Sequence, residues 1–98
     1  MTDPEYRPLF LLGKCGTTQE AQAFLTKHSI NPESLLRRHA SGDWGDMSDD
    51  DKAANNEALE TGKRILSSYE IKGNTVHILT VELPDKGRRT VIALHTET

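Results

Sequence analysis

The sequence predicts an α+β domain: a helical N-terminal half of about three helices packed on a three-stranded antiparallel meander, with room for an added N-terminal strand. Three observations carry this. Between residues 18 and 62 the apolar residues recur at helical spacing, set between start and stop signals. From Arg64 onward the period drops to two. Two turn signals, Lys72-Gly73-Asn74 and Pro84-Asp85-Lys86-Gly87, then cut the C-terminal third into three runs.

Residues 1–8 carry Pro4 and Pro8 and read as an arm, leaving 9–98 as one domain. Leu9 to Leu12 are four consecutive apolar residues before Gly13, which suits a short buried strand or a packed arm. Thr17 with Glu20 three residues on reads as a capping box, and Ala21, Phe24, Leu25 and His28 follow on one face of a first helix over 18–28. Asn31 as N-cap and Pro32 at the first helical position open a second helix. Arg37 and Arg38 lie in its last turns, where cations oppose the helix dipole, and Gly42 can end it. Ser48 caps a third helix, Asp49, Asp50 and Asp51 fill its first turn, and Gly62 closes it. Asn55 and Asn56 are weak helix formers in mid-helix and call for local hydrogen bonds. In the first strand Ile65, Ser67, Tyr69 and Ile71 share one face, and Leu66, Ser68 and Glu70 share the other. In 75–83 Val76, Ile78 and Thr80 alternate with His77, Leu79 and Val81, and Arg89 to His95 alternates likewise. Both faces carry apolar residues, so helices cover one face and the other is half covered or used for contact.

At 98 residues the chain fits a single domain, and 35% hydrophobic residues suffice for two layers with little to spare. No apolar run approaches the roughly 18 residues of a membrane span, and no basic segment leads into a long apolar stretch. The expectation is a cytoplasmic protein without membrane contact. One cysteine, Cys15, fits a reducing compartment. The net charge of −3 hides an asymmetry, because residues 43–60 alone carry net −6. That segment repels nucleic acid and attracts a basic partner, although helix capping by itself accounts for several of its aspartates.

Gly42-Asp43-Trp44-Gly45-Asp46 is the most individual stretch. One reading is a rigid interhelix loop in which Trp44 plugs the core and the aspartates brace turns. The other is a recognition loop in which Asp43, Trp44, Asp46, Asp50 and Asp51 bind a partner, with the indole as anchor. The aspartates do not follow the EF-hand pattern, and Cys15, His28, His39, His77 and His95 show no zinc-ligand spacing. No phosphate loop is present. No metal and no cofactor are expected. A basic group at Lys86, Arg88 and Arg89, with Lys63 and Arg64, suggests a second chemistry. A RelE-like ribonuclease toxin could use Arg64, His77, Arg88 and Arg89, with His77 or His95 as acid or base. The acidic net charge argues against nucleic acid as partner.

Arg38-His39-x-x-Gly42-Asp43-Trp44-Gly45-Asp46, then Asp51-x-x-x-Asn55-x-x-Ala58-Leu59, then Gly62-x-Arg64-Ile65-Leu66-Ser67-x-Tyr69 resembles a family of small bacterial proteins often found on plasmids and mobile elements. Members go under the names plasmid-related protein or type I restriction endonuclease subunit M. The resemblance is specific over 38–69 and looser beyond, and it carries over no catalytic residue. A DNA methyltransferase needs a cofactor-binding α/β sheet and a catalytic motif, and this chain has room for neither. The functional expectation is a small non-catalytic interaction module linked to mobile elements or to defence and anti-defence, with an unknown, basic protein partner. The alternatives are the ribonuclease and a homodimer formed through the half-covered sheet.

Overall fold

The computed structural model describes residues 8–62, 64–84 and 87–95. The expected arm at 1–8 and the centre of the turn at Asp85 and Lys86 therefore lie outside the described residues, Pro8 excepted, as do Lys63 and the last three residues. The order of elements is β1 (Lys14–Thr17), α1 (Gln19–Lys27), α2 (Pro32–Ala40), α3 (Asp49–Thr61), β2 (Ile65–Ile71), β3 (Asn74–Glu82) and β4 (Arg88–Leu94).

The α+β class agrees with expectation, and two details are corrected. The sheet is four-stranded and mixed, in the order β1-β4-β3-β2, with β1 parallel to β4 and the other pairs antiparallel. A strand, not a helix, comes first. Its position also differs, because Leu9–Leu12 forms no strand. Leu9 and Leu11 are exposed while Phe10 turns inward, and the Leu9 N–H is spent on the Ala40 carbonyl at 2.7 Å. The pairing falls instead to Lys14–Thr17, in register with Arg89–Ile92.

The helix starts follow the local chemistry. Thr18, rather than Thr17, caps α1 by accepting from the Ala21 N–H at 3.2 Å. Asn31 accepts from the Glu33 N–H, with Pro32 at the first helical position of α2. Ser48 accepts from the Asp51 N–H at the start of α3, and Gly62 ends that helix in the left-handed region. The β2–β3 hairpin turns on Lys72 and Gly73, both at positive φ, the requirement of a two-residue turn that matches strand twist.

The helices cover one face of the sheet and form two apolar clusters there. Ala21, Leu25 and Leu35 meet Tyr69, Val76, Ile78 and Ile92; Phe10, Trp44 and Ala58 meet Ile65. A polar seam built on His39 runs along the same face, where Ser67 sits between Ile65 and Tyr69. His39 Nδ1 lies 2.5 Å from Ser67 Oγ and Nε2 lies 2.9 Å from Thr80 Oγ1. Thr80 Oγ1 lies 2.7 Å from Thr90 Oγ1, which donates to the Leu12 carbonyl at 2.7 Å. That last acceptor fixes every proton in the chain. Thr90 gives its hydrogen to Leu12, so it accepts from Thr80, and Thr80 accepts from Nε2–H of His39. Nδ1 is then the acceptor for the Ser67 hydroxyl. His39, Ser67, Thr80 and Thr90 are all buried, and one neutral tautomer satisfies them all.

Burial without a counter-charge lowers the His39 pKa to about 4. The unfolded imidazole takes up a proton near pH 6.5, one that the folded protein refuses until about pH 4. Stability is therefore complete above about pH 6.5 and falls as the pH descends toward about 4, by up to about 3 kcal/mol. His77, lowered chiefly by burial but partly exposed, adds in the same direction. Urea midpoints across this range, with NMR titration of the His39 imidazole, should show the loss and a ring that stays neutral. A flat profile, or a His39 ring titrating near its ordinary value, would contradict the neutral seam.

Candidate functional site

The Gly42–Asp46 loop is held from every side. Arg38 Nε donates to Asp43 Oδ2 at 2.7 Å, and the guanidinium carbon stands 4.3 Å from the centre of the Tyr69 ring. The Arg38 hydrogen bond holds the Asp43 carboxyl below its usual range and raises the guanidinium in turn. Both side chains are half exposed, so their pairing adds little net stability. Asp43 Oδ1 accepts from the Gly45 N–H, and the Tyr69 hydroxyl donates to the Asp43 carbonyl at 2.6 Å. Burial pushes the Tyr69 pKa up to about 12. The Trp44 indole is only 4% exposed, against Phe10 and His39, and its Nε1–H donates to Asn56 Oδ1 at 3.2 Å.

This bracing serves the outer edge of β2. The Ser68 N–H donates to the Trp44 carbonyl at 3.1 Å, and the Ser68 carbonyl accepts from the Asp46 N–H at 2.7 Å. The Glu70 N–H donates to Asp46 Oδ2 at 2.9 Å. Two residues before Ser68, at Leu66, Asn55 acts as a surrogate strand. Its Nδ2 donates to the Leu66 carbonyl at 2.6 Å and its Oδ1 accepts from the Leu66 N–H at 3.1 Å. Gly45 has to be glycine: its φ is +78°, and a Cβ there would fall 2.1 Å from the Ser68 carbonyl oxygen. The mid-helix asparagines thus have their partners, Asn55 in Leu66 and Asn56 in Trp44.

The expected recognition loop is therefore reshaped. Its aspartates Asp43, Asp46, Asp50 and Asp51 reach solvent, but Trp44 lies in the core and offers no surface anchor. Among the described residues no three His, Cys, Asp or Glu side chains converge to hold a metal ion. Cys15 is exposed, yet its pKa is raised by desolvation, which keeps the thiol protonated at neutral pH and poorly nucleophilic.

The other face of the sheet has no described element packed over it. Leu66, Leu79, Val91 and Ala93 line a shallow depression of about 340 Å³ together with Arg64, His77 and His95. Lys14 lies in register beside Arg89 and both line a neighbouring hollow, so the rim is basic, with Glu70 at the far end of β2. Ser68 Oγ lies 2.7 Å from His77 Nδ1, and His77 Nε2 lies 3.0 Å from His95 Nδ1. Of the residues expected to bind nucleic acid, Arg64, His77 and Arg89 share this face. Arg88 alternates to the helix side, its guanidinium 5.8 Å from the centre of the Phe10 ring. The His77–His95 contact crosses from β3 to the end of β4. Sequence spacing alone cannot give it, because the β3–β4 register decides it.

No family model matches the chain, and neither a curated protein nor a solved structure matches it.

Asn55→Ala leaves the Leu66 N–H and C=O without partners at the sheet edge. It should destabilise the fold by about 2 kcal/mol and promote self-association. Urea midpoints and light scattering check this; a change within about 0.5 kcal/mol, the range of a neutral surface substitution, would show that the surrogate pairing carries nothing.

Proposed function

We propose that the chain is a small non-catalytic protein-interaction module, and that it docks an acidic, partly apolar segment of a partner protein across the uncovered sheet face. The observation that supports this most is the composition of that face. Leu66, Leu79, Val91 and Ala93 give an apolar floor, and Lys14, Arg64 and Arg89 give a cationic rim. The acidic segment 43–60 runs along the β2 edge, where Asp51 lines a hollow with Arg64 and Leu66, while Lys14 and Arg89 lie toward the far edge, so the field steers an acidic partner toward Lys14 and Arg89. A symmetric homodimer through the same face sets these cations against their own copies, which disfavours it. The floor is aliphatic, without the aromatic platforms on which bases stack, so protein is favoured over single-stranded nucleic acid. The resemblance to small proteins of plasmids and mobile elements belongs to this proposal and supplies its setting, a cytoplasmic role in defence or anti-defence. The exposed Asp43, Asp46, Asp50 and Asp51 leave a second surface suited to a basic partner.

One observation favours the ribonuclease reading: Arg64, His77 and Arg89 lie on one face with His95 beside His77. Two assays separate the readings. A labelled peptide alternating Leu with Asp should bind the wild type, and Arg64→Glu with Arg89→Glu should weaken it by at least about tenfold, about 1.4 kcal/mol. Its Lys counterpart should not bind. Equal binding of both peptides would overturn the docking reading. RNA cleavage lost in His77→Ala would replace it with the toxin, and a stable dimer by light scattering would replace it with self-association.

A further inference from the structure

We propose that His77 and His95 form a two-histidine site for a borderline-soft divalent cation of the zinc class, at the rim of the open sheet face. The proposal stands apart from the docking reading and needs no partner. It rests first on distance. His77 Nε2 and His95 Nδ1 are 3.0 Å apart, and two nitrogens sharing a tetrahedral zinc at about 2.0–2.1 Å stand about 3.3 Å apart. A few tenths of an ångström of opening and a turn of the exposed His95 ring bring both lone pairs onto one ion.

It rests second on the group behind the ligand. His77 Nδ1 lies 2.7 Å from Ser68 Oγ, and Ser68 is itself 8% exposed at the cross-strand position paired with His77. When Nδ1–H donates to that oxygen, the lone pair of Nε2 is aimed at His95. A hydrogen-bonded outer group that fixes the tautomer and the ring angle is the usual support of a metal-bound histidine. In the cation-free protein the Nδ1–H of His95 bridges the two imidazoles; the cation takes its place as that proton moves to Nε2 of His95, so both ligands stay neutral. Two imidazoles select zinc, nickel or copper over magnesium or calcium. Water completes the shell, so the site is open and weaker than a four-ligand structural zinc site.

Isothermal titration calorimetry of the untagged protein with zinc chloride at neutral pH tests this. The expected result is saturable one-to-one binding that is lost in His77→Gln and in His95→Gln. Ser68→Ala should weaken it by about 10–100-fold, the usual cost of removing an outer-shell partner. Cys15→Ser and His28→Gln should leave it unchanged, because neither residue lies near the pair. NMR should place the largest shifts on Nε2 of His77. No saturable binding at millimolar zinc, or binding that survives in His95→Gln, would overturn the site.

Discussion

Leu66, Ser68 and Glu70 turn their backbone groups away from β3, toward what would otherwise be an open sheet edge. Each of them finds a partner from the helical half of the chain: Asn55 for Leu66, the Trp44 and Asp46 backbone for Ser68, and the Asp46 carboxylate for Glu70. An unpaired edge is a template for pairing with other chains, and this molecule closes it with one amide side chain and one loop. The closure also fixes how the layers meet. Asn55 ties α3 to β2, and the loop that ties α2 to β2 brings Trp44 down onto Ile65. The conspicuous composition of Gly42–Asp46 follows from this duty. Gly45 permits close approach to Ser68, Trp44 fills the space beneath, and Asp43 and Asp46 supply acceptors inside the turn and toward Glu70.

The same constraint separates the two faces of the sheet. The helix side is closed by two apolar clusters and by a hydroxyl–imidazole chain with a single consistent set of protons. A buried network satisfied this completely specifies one arrangement of strands, since a one-residue slip would leave Ser67, Thr80 and Thr90 on the wrong side. With the helices committed there, Leu66, Leu79, Val91 and Ala93 have no described element over them, and Lys14, Arg64, Arg89 and the histidine pair lie beside them.

Much of this architecture was legible because it is local. Asn31-Pro32, Ser48 with its aspartates, Gly62, and Lys72-Gly73 each impose their geometry within a few residues, and the alternation of 65–71 separates covered from uncovered side chains directly. The start of α1 lies one residue beyond the expected cap because Thr17 and Thr18 both offer a capping hydroxyl and only strand pairing decides between them. The place of the N-terminal strand is hidden for a related reason. Lys14–Thr17 has no apolar period and contains a glycine, and its partner is a strand at the far end of the chain. The more hydrophobic 9–12 attracts the expectation, yet there Phe10 enters the core, Leu12 packs against it, and Leu9 and Leu11 are exposed. The unusual residues at 42–46 and at 55–56 were visible as unusual, and their meaning was not. An asparagine that imitates a strand can be recognised only once the strand it serves is in place. The histidine contact likewise depends on β3–β4 register, which no spacing encodes.

Native-state hydrogen exchange, read residue by residue, tests the closure of β2 most directly. The amides of Leu66, Ser68 and Glu70 should exchange as slowly as the central amides of β3. In Asn55→Ala, Leu66 should lose protection well before the β3 core does. Fast exchange of these three amides in the wild-type protein, with β3 still protected, would mean that β2 is an ordinary frayed edge and that the loop and Asn55 do not hold the two layers together.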